Sequence, residues 1–329
     1  MTVLSNKITT FILRYFVYPI LFLIIVLEMF FQIIFIFDIK SFNKTILFFN
    51  PYCQQAYWNL EGNSSYDETE FIYHPILTLI KKKNEKYFQN KMSKKNDIIF
   101  YGSSFIDHKY FISNYENKIN FAIKSYGLDQ IYKSYMLTKD NFVDSNIVIG
   151  FLLEDIDRAL FDQRNFPKLK YIKKKNNFEI SNVPIIFKNF ENKKIHFYTY
   201  NFIKNLSFLI SNDYNYKVSN CYIEDKKEIF KYFIKSIIFN SKKLNQKVLF
   251  VTFNSKEDIL APNWRYFFAK EYFSLNNLNH IDTSKIIRDV LNNDYSNISD
   301  FYNQEDLHLS KKGFNITKEE INKFIEQYK

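Results

Sequence analysis

Two serines, Ser103 and Ser104, directly follow Gly102 at the end of the apolar run DIIFYG, Asp97 to Gly102. Far along the chain His308 stands with Glu305 and Asp306 just before it and Gly313 five residues after it. A hydroxyl, an imidazole and a carboxylate are the residue types of acyl transfer, which needs an activated nucleophile, a base, an acid to orient that base, and donors for an oxyanion. The chain has only 5 glycines, so each marks a place where the backbone needs positive φ or close approach. Gly102 and Gly127 follow apolar runs and Gly150 lies within one. Ligand sites of open parallel sheets form at the carboxyl ends of strands.

The elements that would position these residues are those of an α/β domain over 97–329. Short continuous apolar runs suit strands buried on both faces. They are Asp97–Gly102, Lys118–Ala122, Asn146–Leu153, Lys247–Phe253 and a short Asn279–Asp282. An amphipathic helix closes the domain from about Ser310 to Gln327, with Phe314, Ile321, Phe324 and Ile325 inward. The stretch 156–245 is too long for one crossover and reads as an insertion or cap. Residues 38–96 read as a linker or peripheral region, and their lysine-rich run, Lys81 to Lys95, as a solvated face.

Composition narrows the class. Aromatics at 19% exclude a disordered chain, and 2 cysteines exclude a disulfide scaffold or a four-cysteine zinc site. No two-histidine metal spacing and no phosphate-binding glycine loop is present, so no cofactor is expected. The net charge of +10 is spread along the chain, and no nucleic-acid partner is expected. After a short tail, 1–15, the stretch Phe16 to Phe37 is long and apolar enough to span a bilayer. It reads as an uncleaved single-pass anchor in the cell membrane, with the following domain on the extracytoplasmic side. Cys53 and Cys221 would then lie in an oxidising space, as a disulfide or as two buried thiols. Glu28 and Gln32 share one face of the span. A carboxyl in hydrocarbon seeks a partner, so this face is expected either to meet another membrane protein or to satisfy itself through Gln32.

On these motifs the chain resembles the SGNH (GDSL-like) hydrolase superfamily. YGSSF, Tyr101 to Phe105, is similar to its nucleophile block; NFAIKSYG, ending at Gly127, to its second block; and EDLHLSKKG, Glu305 to Gly313, to its last block. The resemblance covers about 97–325. It implies a three-layer α/β/α, flavodoxin-like fold with a mostly parallel sheet, and an acyl-serine mechanism. Ser104 would be the nucleophile, at the N-terminus of a helix after the first strand, with Ser103 the alternative. His308 would be the base and Asp306 or Glu305 its acid. The amides of Ser104 and Gly127 would form the oxyanion hole. The third block departs from the family: FLLEDIDR places Glu154 where an oxyanion-hole asparagine is usual, and a carboxylate there repels an oxyanion unless protonated or turned away. Asp155, Asp157 and Arg158 read as a surface ion-pair cluster or a sugar contact, and His108, four residues after Ser104, as a residue that supports the site or touches substrate, or as a surface histidine. Two functions follow. One is a membrane-anchored esterase or O-acyltransferase acting on acyl esters of cell-surface polysaccharide. The other is a non-catalytic envelope protein that binds polysaccharide or a membrane partner.

Overall fold

The computed structural model describes residues 10–36, 66–89, 98–112, 115, 118–164, 166–174, 177–186, 197–200, 202–203, 222–292, 294–304 and 308–327. They divide into two units, Met1–Gln54 with Lys193–Ser219, and Gln55–Asn192 with Asn220–Lys329. Cys53 and Cys221 lie outside the described residues.

In the first unit a π turn, Leu13–Val17, runs into helix α1 (Tyr18–Ile36). The segment Thr10–Ile34 is long and apolar enough to cross a membrane. The Glu28 carboxylate accepts hydrogen bonds from the Thr199 and Tyr198 amides at 2.8 and 3.0 Å and from Gln32 Nε2 at 3.2 Å. Among the described residues these partners of the Glu28 carboxylate all lie in this chain.

The second unit begins with hairpin β1 (Phe71–His74) and β2 (Thr78–Lys81), followed by α2 (Glu85–Gln89). Then come β3 (Ile98–Gly102), α3 (Lys109–Ile112), β4 (Lys118–Asn120), α4 (Leu128–Thr138), β5 (Asn146–Leu152) and α5 (Asp155–Arg158). Two small hairpins pair β6 (Gln163–Arg164) with β7 (Phe166–Pro167) and β8 (Lys170–Lys174) with β9 (Asn177–Ser181). The chain closes with α6 (Ile223–Lys243), β10 (Lys247–Phe253), α7 (Lys256–Leu260), α8 (Trp264–Leu275), β11 (His280–Asp282), α9 (Thr283–Leu291) and α10 (Lys311–Gln327).

The central sheet has the order β11-β10-β5-β3-β4, and every pairing is parallel. The strands alternate their side chains between two buried layers. Ile99, Tyr101, Ile147, Ile149, Val248 and Phe250 pack with α4, α6 and α8. Phe100, Val148, Leu249, Val251 and Phe253 pack with Ile287 of α9 and with Phe314, Ile321, Phe324 and Ile325 of α10. This is a three-layer α/β/α fold. Counted along the chain the strand order is 2-1-3-4-5, the flavodoxin-like order, whose ligand crevice lies where the winding reverses. Here that point is between the carboxyl ends of β3 and β5.

Two parts of the unit differ from the sequence reading. Residues 66–89 are not a linker: Leu77, Ile80 and Tyr87 are buried in the main core. The apolar pairs of this hairpin are too short, and too interrupted by His74-Pro75, to show a period. Of the lysine run, Lys82, Lys83 and Lys86 are exposed, Lys81 is an exception described below, and 90–95 lie outside the described residues. The stretch 156–245 also ends in α6, whose Ile229, Phe230, Phe233, Ile234 and Ile237 are fully buried. It is the crossover helix onto β10, and the described elements of the stretch before it include the two hairpins.

Candidate active site

Gly102 and Gly150 are register partners at the β3–β5 switch. A side chain on either would collide with Ile106, which folds back over both, and one on Gly102 would also strike the Gly150 carbonyl oxygen. The two glycines thus let the turn after β3 lie directly on the strand ends. The turn residues are Ser103, 1% exposed, and Ser104, partly exposed. Of the two, only Ser104 has appreciable solvent exposure. Gly102→Ala is expected to cost about 1–3 kcal/mol in urea unfolding, because the opposing atom is backbone and cannot rotate away.

This turn is not a helix N-terminus. The chain makes a single Asp107 N–H to Ser103 carbonyl bond of 3.1 Å, and α3 starts only at Lys109. The expected helix gives way because Asp107 is drawn off sideways. Its carboxylate pairs with Lys81 of β2 and accepts from Asn120 Nδ2 at 3.1 Å. Asn120 in turn accepts the Ala122 amide at 2.8 Å, and its carbonyl accepts from Asn84 at 2.7 Å. Burial pulls the Lys81 ammonium below its ordinary value, with Asp107 opposing. The first hairpin therefore braces the serine turn through Lys81. In the sequence Lys81 was hidden at the head of a run of solvated lysines.

His308 arrives from the far end of the chain. Asn303 N–H donates to its carbonyl at 2.8 Å and Ser310 N–H donates to Phe301 at 2.8 Å, so a short antiparallel bridge, Tyr302 to Leu309, holds the segment. The His308 ring lies 4.8 Å from the ring of Phe105, the residue next to Ser104. It lies 5.7 Å from His108, which stacks on Phe314 at 4.7 Å. His108 is partly buried between these rings rather than a free surface histidine. Glu305 and Asp306 lie outside the described residues.

Gly127 caps α4, and its amide donates to Gln130 Oε1 at 3.3 Å. A side chain on Gly127 would stand 2.6 Å from Asp129 Oδ1 and 2.8 Å from Arg158 Cβ. Close packing accounts for this glycine, and its amide is already engaged in capping. The left-handed residue of this loop is Ser125, φ 71°, where no glycine drew attention.

The Glu154 carboxylate is paired with Arg158 at 3.0 Å. A carboxylate so paired accepts and does not donate. Asp155 is fully buried, accepts the Leu152 amide at 3.0 Å and pairs with Arg158. Burial lifts its carboxyl to about 6, against the lowering effects of Arg158 and the nearby Ser103 hydroxyl. Asp157 turns inward to Lys226 at 3.0 Å and to Arg265, with all three side chains at most 1% exposed. The cluster read as a surface is buried. The residue pattern DIDR is the same in either setting, and the partners are remote in sequence. Because the folded protein holds the Asp155 proton more tightly than the unfolded chain, its stabilising contribution is present below about pH 4 and lost as pH rises through about 6. Relative to Asp155→Asn, wild type is expected to lose about 3 kcal/mol between pH 4 and pH 7 in urea titrations.

One residue past β10, Asn254 is 1% exposed, and neither end of its side-chain amide has a hydrogen-bond partner among the described residues. Such an orphan in a native structure calls for an explanation, and nothing in the sequence singled it out.

No family model matches the chain, and no curated protein matches it. Among solved structures it is similar to the lipase/acylhydrolase from Enterococcus faecalis, with 14% identity and a TM-score of 0.40 over 70% of this chain and 96% of that one. It is also similar to a Bacteroides fragilis protein provisionally named an acylhydrolase, with 12% identity and a TM-score of 0.39 over 75% and 95%. A third is a Streptococcus pneumonia protein provisionally named a platelet activating factor, with 10% identity and a TM-score of 0.36 over 74% and 91%.

Proposed function

We propose that this chain is a membrane-anchored serine enzyme of the SGNH-like type, acting on acyl esters, with those of cell-surface polysaccharide as the candidate substrates. The observation that carries the reading is the convergence at the β3–β5 switch point: the Ser104 turn and the His308 segment, remote in sequence, meet through the Phe105 and His308 rings at 4.8 Å. In the proposed reaction Ser104 Oγ attacks the ester carbonyl carbon and its proton passes to His308. The tetrahedral intermediate collapses, the C–O bond to the leaving group breaks, and that alkoxide takes the proton from His308. Water or a sugar hydroxyl then attacks the acyl-Ser104 ester, with His308 again taking and returning the proton. The Ser104 amide is the oxyanion donor assigned here, since Gly127 and Glu154 are engaged elsewhere. Asp306 or Glu305 would orient His308.

The anchor in this reading is Thr10–Ile34, whose 25 residues exceed the span of a ~30 Å hydrocarbon core. Its side chains from Phe16 to Leu23 face outward, as lipid contact requires. The domain would lie on the extracytoplasmic side. The test is labelling of the detergent-solubilised full chain with a fluorophosphonate probe. Labelling lost in both Ser104→Ala and His308→Ala supports the reading. A folded wild type that never labels overturns it in favour of a binding protein.

A further inference from the structure

Beside the serine turn lies a cavity of about 350 Å³, within the size range of ligand pockets. Its apolar wall is formed by Phe71, Leu77, Leu79, Ile123, Tyr126 and Phe166. One wall residue reaches the site's strand: Ile123, three residues past the end of β4, donates its N–H to the carbonyl of Gly102 at 3.1 Å, two residues before Ser104. Ser125, in its left-handed conformation, lines the same cavity.

The buried polar groups of the wall, Thr78, Tyr126 and Gln130, are already used by the protein. Thr78 Oγ1 donates to the Pro167 carbonyl and Tyr126 Oη to the Leu79 carbonyl. Gln130 donates to Leu77 at 3.1 Å and accepts from Gly127 at 3.3 Å. The charged lining residues, Asp67 and Lys124, are exposed to solvent. A sugar placed here would forfeit hydrogen bonds to these engaged groups, at a cost that a hydrocarbon chain does not meet. Thr78 also carries φ 73°, a strained value for a β-branched residue. Its hydroxyl ties the β1–β2 hairpin to β7 over the cavity, and strain of this kind persists where the surroundings over-determine it.

We propose that this cavity binds the aliphatic chain of the acyl group, so that the substrate carries a medium-length hydrocarbon acyl chain rather than acetate. The inference rests on the serine-enzyme reading for its chemistry and adds no bond change to it. The test uses the full chain and octanoate as probe. Isothermal titration of octanoate into Ser104→Ala is expected to show binding that weakens at least tenfold when Phe166→Glu is added. Phe239→Glu, on the exposed face of α6, serves as the control for folding and should leave binding unchanged. In wild type, kcat/KM for the octanoyl ester of p-nitrophenol should exceed that for the acetyl ester at least tenfold, and Phe166→Glu should bring the ratio toward one. A folded Ser104→Ala protein that binds no octanoate at millimolar concentration overturns the cavity assignment whatever the turnover shows. Binding that depends on Phe166 in a wild type that turns over no ester upholds the hydrocarbon site and sinks the serine-enzyme reading instead.

Discussion

Ser104→Ala is expected to lower kcat for an activated ester by roughly 10,000- to 1,000,000-fold, the range found when a nucleophile that acts as one unit with its base is removed. His308→Ala should cost about as much, and the double variant no more than either alone, because both remove the same step. Ser103→Ala separates the two candidate hydroxyls. Its side chain is 1% exposed, so its loss should cost less than tenfold. A double variant much slower than both singles would show that the two residues act independently and that the proposed proton transfer between them does not occur.

The second large effect is on stability. Asp157 neutralises two buried cations, Lys226 and Arg265, from two different helices packed on the sheet. Asp157→Ala removes the carboxylate that both buried cations face, and is expected to destabilise the domain by about 3–5 kcal/mol in urea unfolding. Burial already pulls Lys226 below its ordinary value, with the Asp157 charge opposing. The companion variant Lys226→Met should cost less, since Asp157 keeps Arg265. If Asp157→Ala unfolds at the wild-type urea midpoint, these contacts are not an energetic unit.

Much of the sheet was readable because a strand buried on both faces must be apolar at consecutive positions. Lys247–Phe253 was delimited to the residue, and Asn146–Leu152 and the closing helix within one residue of their ends. The small hairpins were not readable, because two- to five-residue strands carry no usable period. Ser104 and His308 are candidates by residue type and spacing, and the fold brings Phe105, next to Ser104, to 4.8 Å from the His308 ring. The bracing was not legible. Lys81, Asp107 and Asn120 act through partners on separate elements, and a lysine beside other lysines gives no sign that it alone is buried. The inward turn of Asp157 and the pairing of Glu154 with Arg158 were equally hidden, since charge order along a helix does not say which face is covered.

Glu28 has a consequence for the timing of synthesis. The amides that hold its carboxylate belong to residues 170 and 171 positions downstream. At ~5–20 residues per second, the proposed anchor leaves the ribosome roughly 10–30 s before Tyr198 and Thr199 exist. Through that interval Gln32, one turn along, is the partner the helix itself supplies. The Glu28 carboxylate thus acquires its backbone donors only when Tyr198 and Thr199 have been made, so completing this contact waits on translation of more than half the protein.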